Sequence, residues 1–450
     1  MRSLTIVFLL FFELIIAQEV KNNLFGFATS NTFTYCNVND SSFLNKVIDL
    51  HPRLLRFPGG AVGNFYHFGK SGYGFDFNEI DKHHSGKVPK RTRGLERSRI
   101  KKNHNHDYID DFIKLAVATK SKAILVANLF VDNNDILLMI EKLLLNDIEI
   151  VGVELGSELS NRSYFTKGYT IEDYIDSAEK CSNKIKSNYP LLKTAVVAAP
   201  IGTRNGHRHN IWNKKLSKLN FYDAIIIHSY AKVINGEDKA GQMISEELEG
   251  RNLAESFEIY KNRAINFLTD LYPREVKDYI AIYNKPIWVT EWNLQMSKTT
   301  GNTLLQSLFV TSYLLEILSN KDLQNIHLTT YHNLGGRAVS IFVNNKDNKE
   351  IQSTYYAMFM ISKLFQNKIT KVDRVMIGKN FLYNCFDYKG DQLLTYFINW
   401  DSREIICYEN TLDKNLPSEK YYISSENLFD KPNRDGQYKL DYNKQVFFNE

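Results

Sequence analysis

Cysteine is scarce in this chain. The four residues Cys36, Cys181, Cys385 and Cys407 are far apart among 450, with no C-x-x-C and no close Cys/His spacing. A zinc site of the usual kind is therefore not expected. Cys385 and Cys407 share the late part of the chain and could pair, and the sequence leaves that open. Long apolar runs are also missing. Beyond Leu4–Ile16 no stretch approaches the length of a membrane span. That first run follows Arg2 and precedes the small residue Ala17, so residues 1–17 read as a secretory signal peptide and the mature protein as soluble and exported, secreted or periplasmic. There is no internal repeat, no low-complexity linker and no glycine-rich phosphate loop after the first strand candidate, whose sequence is GFATSNTF. The last absence argues against a dinucleotide-binding sheet. Net charge is only +5, so the placement of charge carries more information than its sum.

What is present is an alternation. Apolar runs that suit strands buried on both faces, such as KAILVANLF, IEIVGVELG, KTAVVAAP, DAIIIHSY, KPIWVTEW and NIHLTTYHN, are separated by helical patterns. With LFGFAT and RLLRFPGG they make eight strands over about 340 residues, which fits a (β/α)8 TIM barrel within the α/β class. After about Leu364 short β-type runs broken by Gly, Asn and Asp take over. Residues 18–365 are read as the barrel and 366–450 as an antiparallel β-sandwich-like domain.

Chemistry in such a barrel gathers at the C-terminal strand ends. Those ends deliver Arg56, Asn128, Glu158, His228 with Tyr230, Glu291 with Trp292, and His332 with Arg337 just beyond. Within VGVELGSELS, Glu154 and Glu158 could be two acids on a helix. Like charges at i, i+4 repel and Gly156 weakens a helix, so a strand ending at Gly156 with Glu158 at its tip is the better reading. Glu158 and Glu291 then face each other from strands four and seven. Two such carboxylates are what a retaining glycosidase needs, one to protonate the leaving oxygen and one to attack the anomeric carbon.

Four motifs carry a family resemblance. VELGSE resembles the E-L-G-N-E acid/base segment of clan A retaining glycoside hydrolases. LLRFPGGAVGNFYHF resembles the R-[FWY]-P-G-G segment of α-L-arabinofuranosidases, and IIIHSY and IWVTEW resemble the sixth- and seventh-strand motifs. The resemblance spans the barrel, and the late β-domain agrees with arabinofuranosidase and heparanase-like families. It implies Glu158 as general acid/base, Glu291 as nucleophile, Arg56 and Tyr230 as its hydrogen-bond partners and His228 at the sugar site. Asn64, Asn128, Ser157, Trp292, His332 and Arg337 complete the expected substrate-binding set. Where the family has Asn before the acid/base, this chain has Ser157, which implies either different recognition at the sugar 2-position or an unusual group there. No metal or organic cofactor is implied, since two carboxylates suffice.

Two basic segments flank this site. DKHHSGKVPKRTRGLERSRIKK follows strand two and includes Lys90, Arg91, Arg93, Arg97 and Arg99. GTRNGHRHNIW follows strand five and includes Arg204, His207, Arg208 and His209. Arginine suits carboxylate and sulfate groups, so an anionic glycan is the expected partner. Nucleic acid is not expected, because the charges flank a glycosidase-like site in a chain that reads as exported. A neutral-glycan hydrolase, such as an α-L-arabinofuranosidase or an agarase-like enzyme, is the alternative. A non-catalytic glycan-binding barrel is the alternative of another class, disfavoured because both acids are retained.

Overall fold

Eight parallel strands close on one another in chain order: β1 Gly26–Ala28, β2 Leu54–Phe57, β3 Lys122–Val126, β4 Ile150–Leu155, β5 Lys193–Val197, β6 Ala224–Ala231, β7 Ile287–Leu294 and β8 Ile326–His332. β1 pairs with both β2 and β8, with Ala28 opposite Arg56 on one side and His332 on the other. This computed structural model describes residues 22–448, except 203–205, 236–249, 296, 337–339, 346–347, 411–416 and 433–440. The proposed leader 1–17 and Arg204 and Arg337 lie outside those residues. Among the described residues no helix is long and apolar enough to cross a membrane.

The strands are apolar on both faces because helices cover the outside and side chains fill the inside. The covering helices start where their sequences supply caps. Asp107 accepts from the Ile109 amide to open Tyr108–Thr119, and Thr170 with Asp173 forms a capping box for Ile171–Asn188. The long insertion after β2, which carries the first basic segment, is largely helical, with helices at Phe77–His83 and Val88–Lys101.

Beyond β8 a small sheet forms from β9 Gly335–Gly336, β10 Phe342–Asn345 and β11 Asn348–Ile351. The helix Ser353–Gln366 leads to a six-stranded antiparallel sheet in chain order: β12 Lys371–Ile377, β13 Asn380–Phe386, β14 Gln392–Asn399, β15 Glu404–Glu409, β16 Pro417–Ser424 and β17 Asp441–Phe448. Phe381, Tyr383, Cys385, Leu394, Tyr396, Ile398, Ile405 and Cys407 are buried in alternation, the pattern of a sheet with one covered face. Cys385 and Cys407 are free thiols. They lie on β13 and β15 with β14 between. Two strand spacings of about 4.8 Å exceed the Cα separation a disulfide spans, so the pairing that the sequence left open does not form.

The helix Leu304–Ser319 is buried nearly all round, because it runs between the barrel and this sheet. Its only acid, Glu316, is almost fully buried. Glu316 accepts the Tyr383 hydroxyl at 2.7 Å and is ion-paired with Arg374 of β12. Removing one partner of a buried pair leaves a charge uncompensated, at a cost of about 3–5 kcal/mol. Glu316→Ala is expected to lower stability by an amount of that order and to loosen the C-terminal sheet first. Chemical denaturation with hydrogen exchange on β12–β14 checks this; an unchanged midpoint would show that the pair contributes nothing.

Candidate active site

One guanidinium organises the mouth of the barrel. Arg56 of β2 is fully buried. Its Nε and Nη2 donate to Glu154 Oε1 and Oε2 at 2.6 and 2.8 Å, and its Nη1 donates to Glu291 Oε1 at 2.8 Å. Burial opposes the charge on Arg56, but the two carboxylates outweigh it and hold the proton more firmly than in free arginine. Glu154, the first acid of VELGSE, is therefore an interior counter-ion that uses both oxygens on Arg56 in the bidentate geometry arginine favours.

Glu291 of β7 lies beside His228, its register partner on β6. The Tyr230 hydroxyl donates to Glu291 Oε2 at 2.6 Å, His332 Nδ1 lies 3.3 Å from the same oxygen and His228 Nδ1 lies 3.6 Å away. Burial alone would push this carboxyl up. His228, His332, Arg56 and the Tyr230 hydrogen bond outweigh burial and hold it well below the usual carboxylate range. Burial and Glu291 push the Tyr230 phenol well above its ordinary value, so it stays a donor.

Glu158 stands past the end of β4 in a left-handed conformation, φ +53°. Two residues earlier Gly156 has φ +79°, and a Cβ there would come within 2.3 Å of Leu159 Cδ1. That turn swings Glu158 over the mouth while Glu154 stays inside. Glu158 Oε1 lies 3.0 Å from His228 Nδ1. Thr290 gives its hydroxyl proton to Glu154 Oε2 at 3.1 Å. Its oxygen therefore accepts from His228 Nε2, 3.3 Å away. With Nε2 already a donor, His228 and Glu158 share the one proton between them, and the neighbouring acids raise the imidazole although burial opposes its charge. Glu158, His228 and Glu291 each present one atom within 4.8 Å of the others, close enough to hold a metal ion. Such an ion would share Glu291 with Arg56 and be repelled by it, so the cluster suits proton transfer better than metal binding.

The remaining expected residues divide. Ser157 is fully buried and its hydroxyl accepts from Arg56 Nη2 at 3.3 Å. Asn64 does not face the cleft with a free amide. Its Nδ2 donates to Ser157 O and Tyr164 Oη, both at 2.7 Å, and its Oδ1 accepts from the Ser157 amide at 2.8 Å. It clasps the turn that carries Glu158. Asn128 likewise commits its amide to Tyr66 O at 3.4 Å and Glu79 Oε1 at 3.1 Å. Trp292 points away from the site, stacked on Tyr313 at 4.3 Å and edge-on to Tyr331, because successive strand residues face opposite sides. In the basic helix Arg93 pairs with Asp81, and Arg99 pairs with Glu96 at 2.7 Å, so two of the five expected cations are already neutralised.

One residue in the neighbourhood escaped sequence reasoning. His84, in the insertion after β2, packs edge-on to Tyr164 at 4.8 Å. Its Nδ1 accepts from the Gly86 amide at 2.8 Å, which leaves the proton on Nε2. Burial pushes it down to about 4, against the pull of nearby Glu158. In the sequence its only signal is the HH doublet, which lies within a segment dominated by basic charge.

No family model matches the chain, and no curated protein matches it by sequence. Solved structures do match. The arabinofuranosidase of Xanthomonas axonopodis pv. citri superimposes with a TM-score of 0.57 over 95% of this chain and 91% of its own, at 9% identity. The fold is that of the α-L-arabinofuranosidases. The enzyme from Thermotoga maritima, in an arabinose complex, covers 95% and 92% at a TM-score of 0.53 and 13% identity. The family 51 enzyme from Bifidobacterium longum covers 94% and 91% at 0.53 and 11%. The arabinofuranosidase fold thus accounts for the barrel and the C-terminal sheet together, and at such identity the likeness is one of fold.

Proposed function

We propose that the chain is a retaining glycoside hydrolase with Glu291 as nucleophile and Glu158 as general acid/base. The observation that carries this reading is the pair of carboxylates with atoms within 4.8 Å, one of them held ionised by Arg56, Tyr230 and two histidines. Retaining enzymes need a separation of about 5–5.5 Å, and inverting ones leave room for a water at about 6.5–9.5 Å. Glu291 attacks the anomeric carbon while Glu158 gives a proton to the departing oxygen, and a glycosyl-enzyme ester forms. Glu158 then takes a proton from water, which attacks the same carbon and releases Glu291 as carboxylate.

The substrate we assign is an anionic glycan. On the basic helix Lys90, Arg91 and Arg97 have no carboxylate partner among the described residues, and the charge of Arg91 reaches His332 beside Glu291. The neutral alternative, α-L-arabinofuranoside hydrolysis, draws on the shared fold. Against it, Ser157 is buried against Arg56 and does not reach out to a sugar 2-hydroxyl. Export completes the reading. Intact mass of exported material should begin near Gln18, and retention of Met1–Ala17 would favour an anchor.

The deciding experiment sets the purified chain against uronate-containing, sulfated and neutral glycans, reading reducing ends and the anomer released first. Cleavage of acidic glycans with retention is expected. Cleavage of neutral glycans alone would reject the anionic substrate, and inversion would reject the mechanism.

Asn64 supplies a test of the geometry. Asn64→Ala removes the clasp on Ser157 and lets the Glu158 turn drift. Misplacing a reacting group by about 1 Å costs on the order of 10²-fold, so kcat should fall by about that factor with KM little changed. An unchanged kcat would mean that Glu158 is held by its own turn alone.

A further inference from the structure

The hydrolase reading places the leaving group. Glu291 approaches the anomeric carbon opposite the bond that breaks, and Glu158 meets the departing oxygen. The leaving group therefore extends past Glu158, away from Glu291. A cavity of about 70 Å³ that Glu158 lines and Glu291 does not is bordered also by Ser160, His209, His228 and Tyr279. Ser160 also borders a second cavity, of about 310 Å³, between the turn Arg162–Phe165 and the helix Gly206–Leu216. That volume is at the lower end for small-molecule sites.

The second cavity has an apolar wall and a cation at its rim. Leu159, Ile171 and Trp212 form its base, with Phe165 and Ile211 left 53% and 38% exposed. The Arg208 guanidinium lies 5.2 Å from the Phe165 ring centre. His209 Nδ1 lies 3.1 Å from Pro200 O and must donate there, so its Nε2 accepts from Arg208 Nη2 at 3.0 Å. That contact fixes the guanidinium plane. Arg208 Nε is buried and has no hydrogen-bond partner among the described residues. Glu172, the acid that lines the cavity, is ion-paired with Lys215. Among the described residues no carboxylate pairs with Arg208 or with Arg162 nearby. A buried N–H without an acceptor is costly, and here it sits over a half-exposed aromatic face in a cavity that shares Ser160 with the one beside Glu158.

We propose that this cavity is a leaving-group subsite for a sugar ring that carries a carboxylate or a sulfate. The apolar face of the ring lies on Phe165 and Ile211, and the anion accepts from Arg208. Its place in the substrate rests on the hydrolase reading; the binding itself does not.

Binding is therefore the test. Ligand-detected NMR titrations of the full chain would use methyl β-D-glucuronide, glucose 6-sulfate and neutral methyl β-D-glucoside. At least one anionic probe should bind about tenfold more tightly than the neutral one, the scale of one charge-assisted hydrogen bond, and the two anionic arms tell uronate from sulfate. Arg208→Gln should remove that advantage. Ile211→Asp, on an exposed position that leaves the fold intact by thermal melt, should weaken the anionic probe by a similar factor. Equal binding of neutral and anionic probes, or an advantage that survives Arg208→Gln, overturns the proposal. Because no turnover is read, a chain that binds but does not hydrolyse would sink the hydrolase reading alone, and one that hydrolyses without this preference would sink the subsite alone.

Discussion

Glu291→Gln should lower turnover by at least about 10⁴-fold, the scale on which removal of a nucleophile acts, while the protein remains folded. The structure explains both halves. The amide cannot form the glycosyl ester, so the first step has no acceptor for the sugar. Arg56 still has Glu154 on Nε and Nη2 at 2.6 and 2.8 Å, so neutralising Glu291 does not strand a buried cation. Glu158→Gln should cost less, about 10²–10⁴-fold, and the cost should depend on the leaving group. A nitrophenolate departs without help from an acid and a sugar alkoxide does not, so aryl glycosides should retain more of their rate in the first step. Single-turnover kinetics on both substrate types separate these effects. Near wild-type turnover by either variant would remove that residue from its role, and equal losses on both substrate types would count against Glu158 as the acid.

Arg56→Met should be the more damaging change to the protein itself. It leaves Glu154, fully buried, and Glu291, nearly so, without their shared cation. Stripping one member from a buried ion pair costs about 3–5 kcal/mol. The loss should depend on pH. The folded carboxyl of Glu291 is depressed below its ordinary value, burial being outweighed by His228, His332 and Arg56. Its ionised form therefore adds stability above the ordinary carboxylate pKa, and that contribution is lost as pH falls through the folded value. Without Arg56 the depression shrinks, so the acid limb of the Tm–pH curve should move to higher pH. The acid limb of kcat/KM should move the same way, because the nucleophile must be ionised. Parallel Tm–pH and rate–pH profiles of variant and wild type decide it; coincident curves would show that Arg56 does not set the state of Glu291.

The order of strands was legible in the sequence because each barrel strand is buried on both faces and must be apolar throughout. The same rule placed Glu158 at a strand tip, since Gly156 allows the turn that a helix would not favour. The C-terminal strands were legible only where burial alternates, as in β13 and β14. β12 was missed because most of its residues are exposed, so Val375, Met376 and Ile377 do not alternate with polar neighbours. β16, with the sequence PSEKYYIS, was missed as well, because its polar half hides the run.

Contacts between distant residues were decided by the tertiary structure. Asn64 and Ser157 are 93 positions apart and meet through two hydrogen bonds; nothing in either segment shows that the amide is used on the backbone and not on a sugar. Trp292 adjoins Glu291 in the chain yet faces the opposite way, because consecutive strand residues alternate sides. The cations of the basic helix were countable from the sequence, but Asp81 and Glu96 neutralise two of them. Composition and periodicity report which residues a strand or helix can bury. Which hydrogen-bonding group is satisfied, and which is left to meet a ligand, depends on partners that only the closed barrel brings within 3 Å.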